Sequence, residues 1–142
     1  MKRSLVGIAV LVVALGVAGS AMAGSSKQKT YAPKDCSKAV VEPSRIVFAC
    51  ADFGTYISKL HWGHWGGSKA RGSGSFAEKD CTPSCAGGQV KTYHADIRLR
   101  KVRTSKCGGR RVRLFHQARL SFPGKKPPDA GHFKKTRIFC NK

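Results

Sequence analysis

Four arginines, Arg98, Arg100, Arg113 and Arg119, fall on two stretches that alternate polar and apolar residues, and Phe115 shares the parity of Arg113 and Arg119. A guanidinium presents a planar fork of donors that matches phosphate, and a neighbouring ring supplies a stacking surface. If the two stretches pair as a hairpin, these side chains share one face and form a contact surface for anionic polymers. The plainer reading of the same pattern is a solvated sheet face. Trp65 adds an aromatic contact candidate within His61-Trp62-Gly63-His64-Trp65. There Trp62 is the natural core residue and Trp65 an edge cover, because large aromatics dominate core packing.

Catalytic chemistry finds less support. The seven carboxylates are scattered and make no acid/base pair. A cationic ribonuclease needs two histidines plus a Lys or Arg to handle phosphate. His94 and His116 lie on neighbouring alternating stretches, but their parity places them on opposite faces. Arg71-Gly72-Ser73-Gly74-Ser75 lacks the Gly-Lys-Ser/Thr ending of a phosphate loop. Asp52-Phe53-Gly54 has none of the companion motifs of a kinase. Zinc on Cys81, Cys85, His61 and His64 would suit short cysteine spacing, yet an oxidising compartment favours bridges. No catalytic residue, metal or cofactor is assigned.

Strands must position these groups. Arg45–Cys50 is a β-branched and aromatic run, and Tyr56–Trp65 is aromatic-rich. Ala70, Gly72, Gly74 and Phe76 form a narrow face against which a tryptophan packs. Tyr93, Ala95, Ile97 and Leu99 share one face at period two, and Val112, Leu114, Ala118, Leu120 and Phe122 share another with His116 as its one polar member. Thr104–Gly109 reads as the connecting loop, Thr136–Cys140 as a last strand, and a short helix has room between Asp35 and Val41. Short strands, abundant glycine and no helical periodicity predict a disulfide-stapled antiparallel β-sandwich or small barrel in one domain.

The chain begins with an address. Lys2 and Arg3 precede an apolar run from Leu5 to Val17, and Ala21-Met22-Ala23 supplies a small-x-small cleavage site. The apolar run falls short of the about 20 residues that cross a bilayer. Residues 1–23 therefore read as a signal peptide, 24–35 as a flexible lead-in and 36–142 as the cysteine-rich β domain. Export to an oxidising compartment, with no integral membrane span in the mature chain, makes disulfides the expected fate of Cys36, Cys50, Cys81, Cys85, Cys107 and Cys140. Six thiols allow about 15 connectivities, among which the sequence does not choose; the one expected here joins the two ends through Cys36 and Cys140 and leaves an inner pair of bridges. Pro83 is expected to point Cys81 and Cys85 at different partners.

Lys and Arg number 27 against 7 Asp and Glu, a formal net charge of +20. Such a charge attracts polyanions and says nothing of fold.

Ala49-Cys50-Ala51-Asp52 is followed by Leu60-His61-Trp62, Trp65-Gly66, Ala70-Arg71-Gly72-Ser73-Gly74 and Cys81-Thr82-Pro83-Ser84-Cys85-Ala86-Gly87. Tyr93 and Lys125-Lys126-Pro127-Pro128 continue the pattern. Over Pro43 to Pro128 the chain resembles small secreted proteins of actinobacteria that have no established activity. The resemblance implies export and disulfides and carries over no catalytic residue. It also implies that Cys36 and Cys140 are additions to a four-cysteine pattern.

The sequence thus predicts an exported, soluble, cationic protein that binds an anionic polymer or surface: wall polymer, lipid head groups or nucleic acid. The alternatives are a secreted cationic hydrolase such as a ribonuclease, or an inhibitor that offers the Cys81–Cys85 loop. It sets no oligomeric state.

Overall fold

A computed structural model describes residues 28–141; the expected signal peptide, residues 1–23, lies outside the described residues, as do residues 24–27 and 142. The strands are β1 (Ala32–Pro33), β2 (Ala39–Val40), β3 (Arg45–Val47), β4 (Thr55–Trp65), β5 (Ala70–Lys79), β6 (Val90–Cys107), β7 (Arg110–Ser121) and β8 (Thr136–Arg137). A four-residue helix, α1 (Ala130–Phe133), precedes β8. Strands β3 to β8 form one antiparallel meander in chain order, and β1 pairs with β2. The large sheet curls into a half-barrel. The mainly β, disulfide-stapled class expected from the sequence is the class observed.

The long hairpin β6–β7 is longer than its alternation implied. The expected loop from Thr104 is strand as far as Cys107, and Gly108 and Gly109 alone make the turn. Both have positive φ, +55° and +76°, the requirement of the tight turn that matches strand twist. The ladder runs from Asp96–Ser121 to Cys107–Arg110.

The main core fills the curl. Phe76 lies fully buried with its ring centroid 5.4 Å from Phe122 and 4.7 Å from Phe133. Ile57, Leu60, Ile97, Leu99 and Phe115 join the same cluster. Trp62 stacks edge-on against Trp65 at 4.7 Å, and Trp65 against Phe115 at 5.4 Å. The glycines of β5 make room: a Cβ on Gly72 would lie 2.6 Å from the His61 carbonyl and 2.9 Å from the Trp62 ring.

Two switches in side-chain direction shape the outer face. On β4 the core residues are Ile57, Leu60, Trp62 and Trp65, so the spacing departs twice from two. Register shifts lie between Ser58 and His61 and between Trp62 and His64. Lys59 carries the first with φ of +51°, a left-handed backbone unusual for a side-chain-bearing residue. On the β6–β7 hairpin, Leu99 and Val102 both face the core, as do Ala118 and Phe115, each pair three apart. Lys101, with φ of +56°, stands at that rung.

The N-terminal segment is not a loose lead-in from Gln28 onward. Tyr31 and β7 exchange backbone bonds, Tyr31 N–H to the Arg113 carbonyl at 2.8 Å and Phe115 N–H to the Tyr31 carbonyl at 3.0 Å. Thr30 is buried and its hydroxyl donates to the Gly67 carbonyl. The stretch between Asp35 and Val41, which has room for a short helix, is a bend leading into β2.

The bridges are Cys36–Cys50, Cys81–Cys85 and Cys107–Cys140. This corrects the expected Cys36–Cys140 pairing. The two ends do converge, since Asn141 N–H donates to the Cys36 carbonyl. Each end nevertheless bonds to its own nearer partner: Cys50 across the β3 loop, and Cys107 at the hairpin tip. Cys81 and Cys85 bond to each other, closing a small loop where separate partners were expected.

Candidate polyanion-binding face

The outer face of β4–β7 is built by residues that alternate with the core positions. Ala70, Gly72 and Phe76 turn in, so Arg71, Ser73 and Ser75 turn out; Ile97 and Leu99 turn in, so Asp96, Arg98 and Arg100 turn out. Antiparallel pairing then fixes the rows. His64 lies opposite Arg71, Arg71 opposite Arg98, and Arg98 opposite Arg119. All four side chains are exposed. A second row places Arg100 opposite Gln117 and Gln117 opposite Arg137.

Directly opposed like charges are unfavourable in a sheet, and little on this molecule relieves them. Among the described residues the sole Lys or Arg ion pair is Lys91–Asp80, at 2.8 Å and away from these rows. Its hydrogen bond holds the Asp80 carboxyl below, and the Lys91 ammonium above, their ordinary values. Asp96 is the carboxylate on the face, 4.0 Å from His94 Nε2.

Two shallow depressions cross the face. One, of about 320 Å³, runs between His61 and Arg98 over Arg71, Gly72 and Ser73, with Asp96 at its wall. The other, of about 340 Å³, is lined by Lys59, His61, Ser75 and His94. The bulge at Lys59 makes the second possible, because it returns His61 to the outer side after Leu60 has turned inward.

No family model, curated protein or solved structure matches this chain.

The structure brings Arg98, Arg100 and Arg119 together and separates the other candidates from them. Arg113 is half-buried and points elsewhere: its guanidinium donates to Gln28 Oε1 and to the Gly67 carbonyl, both at 3.2 Å. Phe115, expected as an exposed ring beside the arginines, is fully buried against Trp65. The switch at Lys101 explains both, since it inverts the parity on which they were placed. Trp65 is half-buried, with Nε1–H donating 3.0 Å to the Thr30 carbonyl, and it closes the curl instead of facing solvent. Arg71, His61 and His64 belong to the face and were missed as a group. Arg71 was readable from the alternation of β5, but the histidines, three apart, share a face only because a second irregularity falls between them.

His116 does not join His94. Its Nε2 lies 2.7 Å from Ser105 Oγ on the far half of the hairpin, and burial together with Arg103 lowers its pKa.

Proposed function

We propose that this chain is an exported binding protein that holds an anionic polymer on the open face of its sheet. The observation that carries the reading is the row His64–Arg71–Arg98–Arg119. Three interstrand steps of about 4.8 Å make it roughly 14 Å long, enough for successive phosphates of an extended chain. The three guanidiniums of the row have no ion-pair partner among the described residues, with Asp96 the one acid standing beside them, and their mutual repulsion is offset when a polyanion lies across the strands. Three disulfides fit an oxidising compartment, and no helix among the described residues is long and apolar enough to cross a membrane.

Fluorescence anisotropy with a labelled single-stranded oligonucleotide and with polyphosphate tests this. Binding should weaken steeply with salt, and Arg98→Gln with Arg119→Gln should weaken it further at every salt concentration. Unchanged affinity in that variant would contradict the reading.

One observation favours a second reading, cleavage of an RNA-like phosphodiester. His61, His94 and Lys59 line a single depression next to the arginine row. One imidazole would take the 2′-hydroxyl proton as that oxygen attacks phosphorus, and the other would protonate the departing 5′-oxygen. Cleavage of an oligoribonucleotide, lost in both His61→Ala and His94→Ala and absent with the 2′-deoxy strand, would favour this reading over simple binding.

A further inference from the structure

A deeper depression, of about 580 Å³, lies at the β8 edge. Lys101 and Arg103 of β6, His116 of β7, and Lys135, Arg137 and Phe139 of the C-terminal segment line it, and no carboxylate does. The elements packed around it supply one sign of charge. Four Lys and Arg side chains converge on a space large enough for a nucleotide-sized anion, and none has an ion-pair partner among the described residues.

The backbone is arranged at some cost to put them there. Lys101 holds a left-handed φ of +56° in mid-strand, a conformation unfavourable for a residue with a side chain. The same rung turns Leu99 and Val102 both inward. Arg103 and Ser105 are thereby carried to the side that His116 faces. The Ser105 hydroxyl fixes His116 at 2.7 Å. Phe139, 47% exposed, stands at the rim as one of the few large apolar side chains on the surface.

We propose that this depression is a discrete site for a phosphomonoester dianion, distinct from the His64–Arg71–Arg98–Arg119 row, with Arg103, Arg137 and His116 around the phosphate and Phe139 against the organic group. Guanidinium forks suit the oxygens of such a group, and an exposed ring suits a flat substituent. His116 gives the site a pH response. The groups facing it are Lys101, Arg103 and Ser105 from β6, and Lys135 and Arg137 from the C-terminal segment, with Lys106 and Arg111 across the adjoining hollow. All of the charged ones are cations, so the free imidazole resists protonation, and a bound dianion reverses that preference.

The test uses the mature chain and NMR titration of the His116 ring and arginine Nε–H signals. The probes are a nucleoside 5′-monophosphate, inorganic phosphate, the unphosphorylated nucleoside, and sulfate as a dianion whose charge does not change with pH. The monophosphate should saturate the His116 signal at one equivalent and bind several-fold more tightly than inorganic phosphate, and the nucleoside should not bind. Arg103→Gln and Arg137→Gln should each weaken it about tenfold. Arg98→Gln with Arg119→Gln should leave it unchanged, which separates this site from the polymer face. Sulfate should bind more tightly as pH falls from 7.5 to 5.5, and His116→Asn should flatten that dependence; circular dichroism verifies that each variant is folded. Shifts that never saturate, spread over all arginines, or persist in Arg103→Gln and Arg137→Gln would overturn the proposal. So would inorganic phosphate binding as tightly as the monophosphate.

Discussion

Individual side chains on this molecule divide into cations that hold the fold and cations left free. Arg113 belongs to the first kind, bridging Gln28 and the Gly67 carbonyl where the N-terminal segment meets β7. Arg113→Ala should cost about 1–2 kcal/mol in denaturant unfolding, the loss expected for charge-assisted bonds. It should leave polyanion affinity at the sheet face within twofold. Arg98 and Arg119 belong to the second kind, and their substitution by Gln should do the reverse. His116 makes a separate prediction at this scale. Burial and Arg103 lower its pKa from an ordinary value of 6.5. The unfolded chain therefore binds its proton more readily, so this group's contribution to stability is present above pH 6.5 and is lost as pH falls below it. Melting temperature measured at pH 7.5 and 5.5 should drop less in His116→Asn than in the parent.

At the scale of elements, the departures from alternation make the site. Two lysines, Lys59 and Lys101, adopt left-handed backbone inside strands. Glycine has no such penalty, so Lys59→Gly and Lys101→Gly should each be neutral to stabilising by up to about 1 kcal/mol, against the usual loss for glycine in a strand. Gly72→Ala should do the opposite, losing about 1–3 kcal/mol, because its Cβ would press on the His61 carbonyl and the Trp62 ring. Chemical denaturation distinguishes these signs. The same irregularities mark where the sequence was legible. Regular alternation placed Ile97, Leu99, Arg98 and Arg119 correctly, and small residues at Gly72 and Gly74 indicated close packing on β5. A period of two cannot register a switch at Lys101, so Phe115 was assigned to solvent and Arg113 to the arginine face. Nor does a polar, lysine-rich stretch reveal that Thr30 and Tyr31 are bound through their backbone.

Across the whole molecule, the curled sheet, the bridges and the charge act together. The Cys107–Cys140 bridge spans 33 residues and ties the hairpin tip to the C-terminal segment. Loop closure of that length is worth about 3–4 kcal/mol, so the double Cys→Ser variant should lose most among the three bridges. Pairing was beyond reach of the sequence because both ends converge in space, and convergence alone does not say which thiols meet. The central claim concerns the row Arg71–Arg98–Arg119, and salt dependence tests it most directly. Affinity for a single-stranded oligonucleotide should be measured against salt for the parent, for the triple Arg→Gln variant at 71, 98 and 119, and for a charge-matched control at Lys125, Lys126 and Lys134. With about 0.7 counterions released per phosphate contact, the logarithmic slope of the arginine variant should be shallower than the parent's by about 2, and the control's should be close to the parent's. Equal slopes in the two variants would contradict the account, because net charge and not the row would then hold the polymer.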